Sequence, residues 1–200
     1  MLVCSIVHRT NQLANLLAAL APQIVPGVGV RVFRDNLETG YGEKCQALLD
    51  SSTADYVSFV DDDDMVAPDF VARVLDALAG SPDYVGFRVL YTVDGLFRLP
   101  VIHSLRFPDW INTPDELQRD LVHFNPIRRD LALLGEWEGG MGADFRWATQ
   151  VRATGRVRDE AFIDAEMYRY QHVTADSFLA HREPLTEHPP RPECAFATWL

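Results

Sequence analysis

The chain alternates between short apolar runs and helical stripes. Leu2-Val3-Cys4-Ser5-Ile6-Val7 is a β-prone run broken by His8-Arg9-Thr10-Asn11. Leu13, Leu16, Leu17 and Leu20 then recur at helical spacing, with Thr10 or Asn11 as N-cap, until Pro22 and Pro26-Gly27 end the helix. Val28 to Phe33 predicts a second strand followed by Arg34-Asp35-Asn36. The opening is thus a strand–helix–strand unit with polar residues at its strand ends. Gly40-Tyr41-Gly42-Glu43-Lys44 leads into a helix through Ala47, Leu48 and Leu49, and Asp55 to Val60 predicts a third strand.

After Pro68-Asp69, Phe70, Val71, Val74, Leu75 and Leu78 form one apolar helical face, stopped at Gly80-Ser81-Pro82. Tyr84 to Tyr91 and Leu96 to Ile102 predict a hairpin about Val93-Asp94-Gly95. Residues 105–112 are irregular and aromatic, and Thr113-Pro114-Asp115-Glu116 carries the signature of a helix start. A short helix is expected over Ile127–Leu134 and another over Asp144–Val151, with Phe145, Ala148 and Val151 facing the core. Val157 to Tyr170 holds a strand or two, and residues 182–200 form a proline-rich surface tail. No internal repeat is visible.

The organising stretch is Tyr56-Val57-Ser58-Phe59-Val60-Asp61-Asp62-Asp63-Asp64. A buried strand that runs straight into four carboxylates creates an electrostatic problem, because unpaired buried charge is very costly. A solvated acidic loop is one solution. A hard divalent cation among the oxygens, Mg²⁺ or Mn²⁺ with a ligand's phosphates completing its shell, is the other and the stronger reading. In open α/β sheets the carboxyl ends of strands are where ligands bind. Glycines 40 and 42 permit close backbone approach and open a helix, although Glu43 before Lys44 departs from a P-loop, so an ordinary turn is an equal reading.

Composition narrows the class. Two hundred residues, 48% hydrophobic, fit a single compact domain. No apolar run approaches the roughly 20 residues of a membrane span, and the N-terminal stretch lacks the pattern of a signal peptide, so a cytoplasmic protein is expected. Cys4, Cys45 and Cys194 share no metal-ligand spacing and read as reduced thiols. A net charge of −11 opposes nucleic acid and anionic membranes, unless Arg128, Arg129, Arg152, Arg156 and Arg158 cluster as a basic face.

In this order the residues resemble the A-type, family-two glycosyltransferases that use nucleotide-diphosphosugars. The resemblance lies in Cys4-Ser5-Ile6-Val7, Phe33-Arg34-Asp35-Asn36, Gly40-x-Gly42-x-Lys44 and Phe59-Val60-Asp61-Asp62-Asp63-Asp64 followed by Pro68. It is close over about residues 2–80 and looser over 120–175. It implies a Rossmann-like, mixed, mostly parallel sheet flanked by helices, divided into a nucleotide-sugar half (1–100) and an acceptor half (101–181), with 182–200 outside.

It further implies an Asp-x-Asp metal motif. Asp61, Asp63, Asp64 and His172 are the implied metal set, with Asp61 facing the ribose or a metal-bound water. Arg9, Asp35, Lys44, Asp61 and Asp62 are the implied donor-binding set, with Asp35 on the nucleobase. Gly139-Gly140-Met141-Gly142-Ala143-Asp144 matches the acceptor loop, with Asp144 as catalytic base, although Ala143 stands where the family usually carries Glu. The implied cofactors are Mn²⁺ or Mg²⁺ and a nucleotide-sugar, a UDP-sugar first.

The expected chemistry is single displacement with inversion: Asp144 takes the proton of an acceptor hydroxyl and a metal ion offsets charge on the departing diphosphate. Read from the residues alone, Asp144 is equally a helix cap, Arg9 a surface charge and His172 a structural histidine. The other five histidines, His123 among them, receive no role. Trp137 offers a stacking ring for an acceptor or a core side chain.

A metal-dependent nucleotidyltransferase needs a glycine-rich basic signature that Ser5-Ile6-Val7-His8-Arg9 lacks. A non-catalytic nucleotide- or metal-binding module is the other alternative. The acceptor stays open among a glycan, a lipid-linked sugar, a protein side chain, a small molecule and a hydroxymethylated DNA base.

Overall fold

The computed structural model of the chain describes residues 1–6, 9–36 and 38–172; the C-terminal tail, with Cys194, lies outside them. Among the described residues, ten strands and five α-helices build a mixed α/β fold. Strand β1 (Leu2–Ile6), helix α1 (Thr10–Leu20) and strand β2 (Arg31–Asp35) form the opening unit, and the two strands pair in parallel from Leu2↔Arg31 to Ile6↔Asp35. A single 3₁₀ turn at Ala21–Gln23 ends α1 where Pro22 removes a donor. Leu13, Leu16 and Leu20 are buried, as their spacing requires.

Helix α2 (Tyr41–Ser51) leads to β3 (Tyr56–Val57). The extended chain continues past β3: Leu2 N–H donates to Ser58 O, Val60 N–H donates to Leu2 O, and Leu2 and Phe59 bridge in parallel. The ends of β1, β2 and this third run therefore point the same way, and Arg9, Asp35 and Asp61 each follow one of them. Next come β4 (Met65–Val66) and α3 (Phe70–Leu78). Phe70, Val71 and Val74 are buried, but Leu75 is 40% exposed.

The second half is largely sheet. Strands β5 (Tyr84–Val93) and β6 (Leu96–His103) form the expected antiparallel hairpin. Asp94 and Gly95 both take positive φ, 50° and 76°, as a tight turn between right-twisted strands demands. Thr113 does not start a helix. Its hydroxyl donates to Glu116 O and accepts from Glu116 N–H, closing the turn between β7 (Ile111–Asn112) and β8 (Leu117–Arg119). The same side-chain chemistry serves caps and turns, and here cross-strand pairing decides.

Strand β9 (Ile127–Arg128) precedes a single turn of helix, α4 (Arg129–Ala132). Helix α5 (Ala143–Ala153) follows the glycine loop. The last described strand, β10 (Glu160–His172), runs parallel to β5 and antiparallel to β4. Between α5 and the sheet, Trp137 stacks on Trp147 with ring centroids 4.9 Å apart, and Phe59 packs against Trp137 at 4.7 Å. Trp147, wholly buried, takes the core position expected of Phe145, which is 45% exposed. No described helix is long and apolar enough to cross a membrane.

Candidate active site

The four aspartates leave the third parallel run and fold into a turn closed by Asp64 N–H to Asp61 O at 3.1 Å. Turning the chain sends the carboxylates to different partners. Asp61 Oδ2 lies 3.2 Å from His123 Nε2. Asp62 Oδ1 and Asp63 Oδ2 lie 3.2 and 2.8 Å from the same Arg9 Nη1. Asp64 accepts from the Tyr168 hydroxyl at 2.9 Å and from Gln171 N–H at 2.6 Å. The Tyr168 oxygen in turn accepts from Asp61 N–H at 3.0 Å, and Gln171 Nε2 donates to Asp63 O at 2.9 Å. Strand β10 thus latches the acidic turn at three residues.

All four aspartates are buried, and Asp63 Oδ1 is buried with no hydrogen-bond partner. Burial pushes the Asp63 carboxyl well above the usual carboxylate range, against the pull of Arg9 and with the push of Asp62 and Asp61. Burial raises Asp64 likewise, helped by Asp63 and Asp61. Four carboxylates thus crowd a buried corner in which Arg9 meets Asp62 and Asp63.

Asp144 sits in the first turn of α5, buried, with Oδ2 3.6 Å from His123 Nδ1. The cap position belongs to Gly142, in the left-handed region at φ 74°, so Asp144 is not the cap. The preceding loop is pinned from two sides. Arg146 donates to Met141 O (3.2 Å) and Glu138 O (2.9 Å), and Gly42 N–H donates to Gly139 O at 2.9 Å. Gly42 must be glycine, since a Cβ there would stand 2.8 Å from Gly139 O. The first turn of α2 and the loop bearing Asp144 are in this way clasped together.

His123 is the residue that sequence reasoning passed over. It lies between Asp61 and Asp144, its ring edge-on to Phe124 and Trp137, and Phe59 N–H donates to its backbone carbonyl. The segment 121–126 has no periodicity, so nothing marked one histidine out of six. Tyr168 and Gln171 lie in the segment Tyr168-Arg169-Tyr170-Gln171-His172, whose resemblance to the family points to His172 and gives these two no role.

Asp35, at the end of β2, pairs with the buried Lys44 ammonium and accepts from Thr39 N–H at 2.8 Å. Burial alone would raise this carboxyl; the hydrogen bonds from Lys44 and Thr39 outweigh it and hold the pKa below its usual value. Asp35 and Lys44 are thus brought together as a pair, while Arg9 joins the acidic turn. His172 is buried at the end of β10, one residue past Gln171. Among the described residues no three His, Cys, Asp or Glu side chains converge into a ready metal cage.

Trp137 is a core residue, 4% exposed, and is no stacking ring for an acceptor. Three of the five arginines are engaged with the protein's own oxygens, while Arg156 and Arg158 are exposed. Arg128 pairs with Asp83 and Asp130, Arg152 pairs with Asp120, and Arg129 donates to Leu49 O and Asp50 O. Cys45 is fully buried.

Comparisons with known proteins bear on the fold and the family. In the crystal structure of residues 1–349 of Staphylococcus aureus TarS in complex with UDP-GlcNAc, the fold matches with a TM-score of 0.61 at 15% identity, over 86% of this chain and 58% of that one. A longer TarS structure matches with a TM-score of 0.61 at 13% identity, over 89% of this chain and 37% of that one. This chain therefore spans little more than half of the shorter relative. No curated protein matches by sequence. The model of the family described as glycosyl transferase family 2 matches residues 9–133, from Arg9 through the acidic turn and His123, and ends before Asp144. With well over half of its length matched, the chain belongs to glycosyl transferase family 2.

Proposed function

We propose that this chain carries an inverting, metal-dependent glycosyl transfer from a UDP-sugar to an acceptor hydroxyl. The observation that carries the reading is His123 standing between Asp61 and Asp144, because it puts the acidic turn and a candidate base in one buried corner. The crystallised TarS complexes contain UDP-GlcNAc or UDP, which supports a uridine diphosphate donor here.

Asp35 and Lys44 are assigned to the nucleoside, Arg9 to the diphosphate with Asp62 holding its guanidinium, and Asp61 to the ribose side. The partnerless Asp63 Oδ1 and the raised carboxyls of Asp63 and Asp64 fit a hard cation that takes only one or two protein oxygens and completes its shell from phosphate and water. Asp63 would hold it first, with Asp61, Asp64 and His172 as the further assigned ligands. When bound, Mn²⁺ or Mg²⁺ supplies Lewis-acid stabilisation of the leaving diphosphate.

The acceptor oxygen attacks the anomeric carbon, its proton passes to an Asp144 oxygen, and the carbon–oxygen bond to the diphosphate breaks with the electron pair going to the departing phosphate oxygen. Base and leaving group on opposite sides of the sugar give inversion. Arg9, already held at the acidic turn, adds positive charge beside the departing group.

The test is a melt and a turnover assay. UDP with Mn²⁺ is expected to raise Tm more than UDP and Mn²⁺ do separately, and UDP release from UDP-sugars is expected to require the metal. A chain whose melting ignores UDP in every metal condition overturns the reading.

A further inference from the structure

The rim of this corner carries an anomaly. Apolar side chains of size are exposed at Met141 (47%), Phe145 (45%) and Ile111 (40%). They lie on the two segments next to Asp144: the glycine loop with the first turn of α5, and the entry to β7. Phe145 meets Trp110 edge to face, with ring centroids 5.5 Å apart. Asp144 and Phe145 are consecutive on a helix, so their side chains diverge by about 100°. One turns in to His123 while the other stays at the surface.

The rings stand on fixed supports. The Arg119 guanidinium lies 4.9 Å over the Trp110 ring and donates to Ile111 O and Asn112 Oδ1. Arg146 holds the loop before Phe145 through Glu138 O and Met141 O. A fixed aromatic pair beside a buried carboxylate, with Phe145 exposed and Trp110 half-buried under Arg119, marks a binding surface. Its chemistry selects among ligands. The cluster is small and interrupted by Asn112 and Arg119, which does not suit an acyl chain. Arg119 and Arg146 are engaged with the protein's own oxygens, and the chain's net charge of −11 repels polyanions. A neutral sugar ring fits: it offers a face of polarised C–H groups to the negative aromatic face and a rim of hydroxyls to polar neighbours.

From this we infer that Trp110 and Phe145, with Met141 beside them, form the acceptor platform of a neutral saccharide whose free hydroxyl is delivered to Asp144. The inference rests on the assignment of Asp144 as base.

Calorimetric titration of the full chain with maltotriose, cellotriose and chitotriose tests it, with UDP plus Mn²⁺ titrated into the same samples. At least one trisaccharide is expected to bind. Phe145→Ala and Trp110→Ala should each weaken it about fivefold to tenfold, Phe145→Tyr should retain it, and all three variants should bind UDP like the parent chain. Three silent trisaccharides, or alanine variants that bind as tightly as the parent, overturn the platform. So does binding to phosphatidylcholine vesicles or to heparin that the alanine variants lose instead. A chain that takes a trisaccharide as described but ignores UDP keeps the platform and discards the donor assignment.

Discussion

His123 Nε2 lies 3.2 Å from Asp61 Oδ2, and its Nδ1 lies 3.6 Å from Asp144 Oδ2. One imidazole thus stands between the acidic turn and the candidate base, within hydrogen-bond reach of Asp61 and close beside Asp144. Replacing it with glutamine keeps a polar side chain but removes the ring that fills the space between the two carboxylates. His123→Gln is expected to lower kcat about a hundredfold through a misplaced Asp144, with the UDP Kd changed less than about threefold. Steady-state kinetics alongside UDP calorimetry measure both, and equal losses in kcat and donor affinity would contradict the positioning role.

Asp144→Asn removes the proton acceptor and conserves shape. Turnover is expected to fall by about 10²- to 10⁴-fold while Tm and UDP affinity hold. Retained turnover in this variant would move the base elsewhere.

The acidic turn makes a prediction about pH and metal. Asp63 and Asp64 have folded pKa values raised above the unfolded value of 3.8. Their contribution to stability is therefore full below that value and is lost as pH rises through the raised folded pKa values. Without metal, Asp63→Asn is expected to melt higher than the parent chain at pH 7.5, and the difference should vanish toward pH 4. Mn²⁺ should stabilise the parent more at pH 7.5 than at pH 5, and Asp63→Asn less at either. Scanning calorimetry across pH reads all four conditions; a variant that melts lower at pH 7.5 would count against a charge-strained corner.

Gly42→Ala would press a methyl group against the backbone at Gly139 O, Glu138 C and Trp137 O, all within 3.0 Å. Backbone cannot move aside as a side chain can, so a loss of about 1–3 kcal/mol is expected, with kcat reduced because the displaced loop carries Asp144. Urea melts and kinetics on the same preparation test the two effects together.

Tyr168→Phe deletes a hydroxyl that accepts from Asp61 N–H and donates to Asp64 Oδ2. Two buried polar groups lose a partner, at a cost of about 1–3 kcal/mol for each one left unsatisfied. Chemical denaturation should show it, and a neutral substitution would mean that water enters the corner.

Local chemistry made much of this legible. The apolar run ending in Asp61 to Asp64 marked a buried acidic corner, because a buried strand that runs into four carboxylates must fold them against partners. Asp94-Gly95 announced its hairpin through a backbone requirement. What stayed hidden was decided by distant packing. His123 gains its place from Asp61 and Asp144 together, residues 62 and 21 positions away, and no period in 121–126 encodes that. Phe145 and Trp147 are both aromatic on one helix, and only the presence of Trp137 and Phe59 opposite fixes which turns inward. Thr113-Pro114 suits a helix start and a turn alike until β7 and β8 pair.

The latch from Tyr168 and Gln171 onto the acidic turn has a consequence for biosynthesis. A nascent chain that has left the ribosome only as far as Gly155 already holds its four aspartates but lacks the hydroxyl and amides that tie them down. The acidic turn must therefore be tied down late, when residues 160–172 thread in beside the Tyr84–Val93 strand, and a polypeptide cut short of that point would carry the four aspartates without their latch.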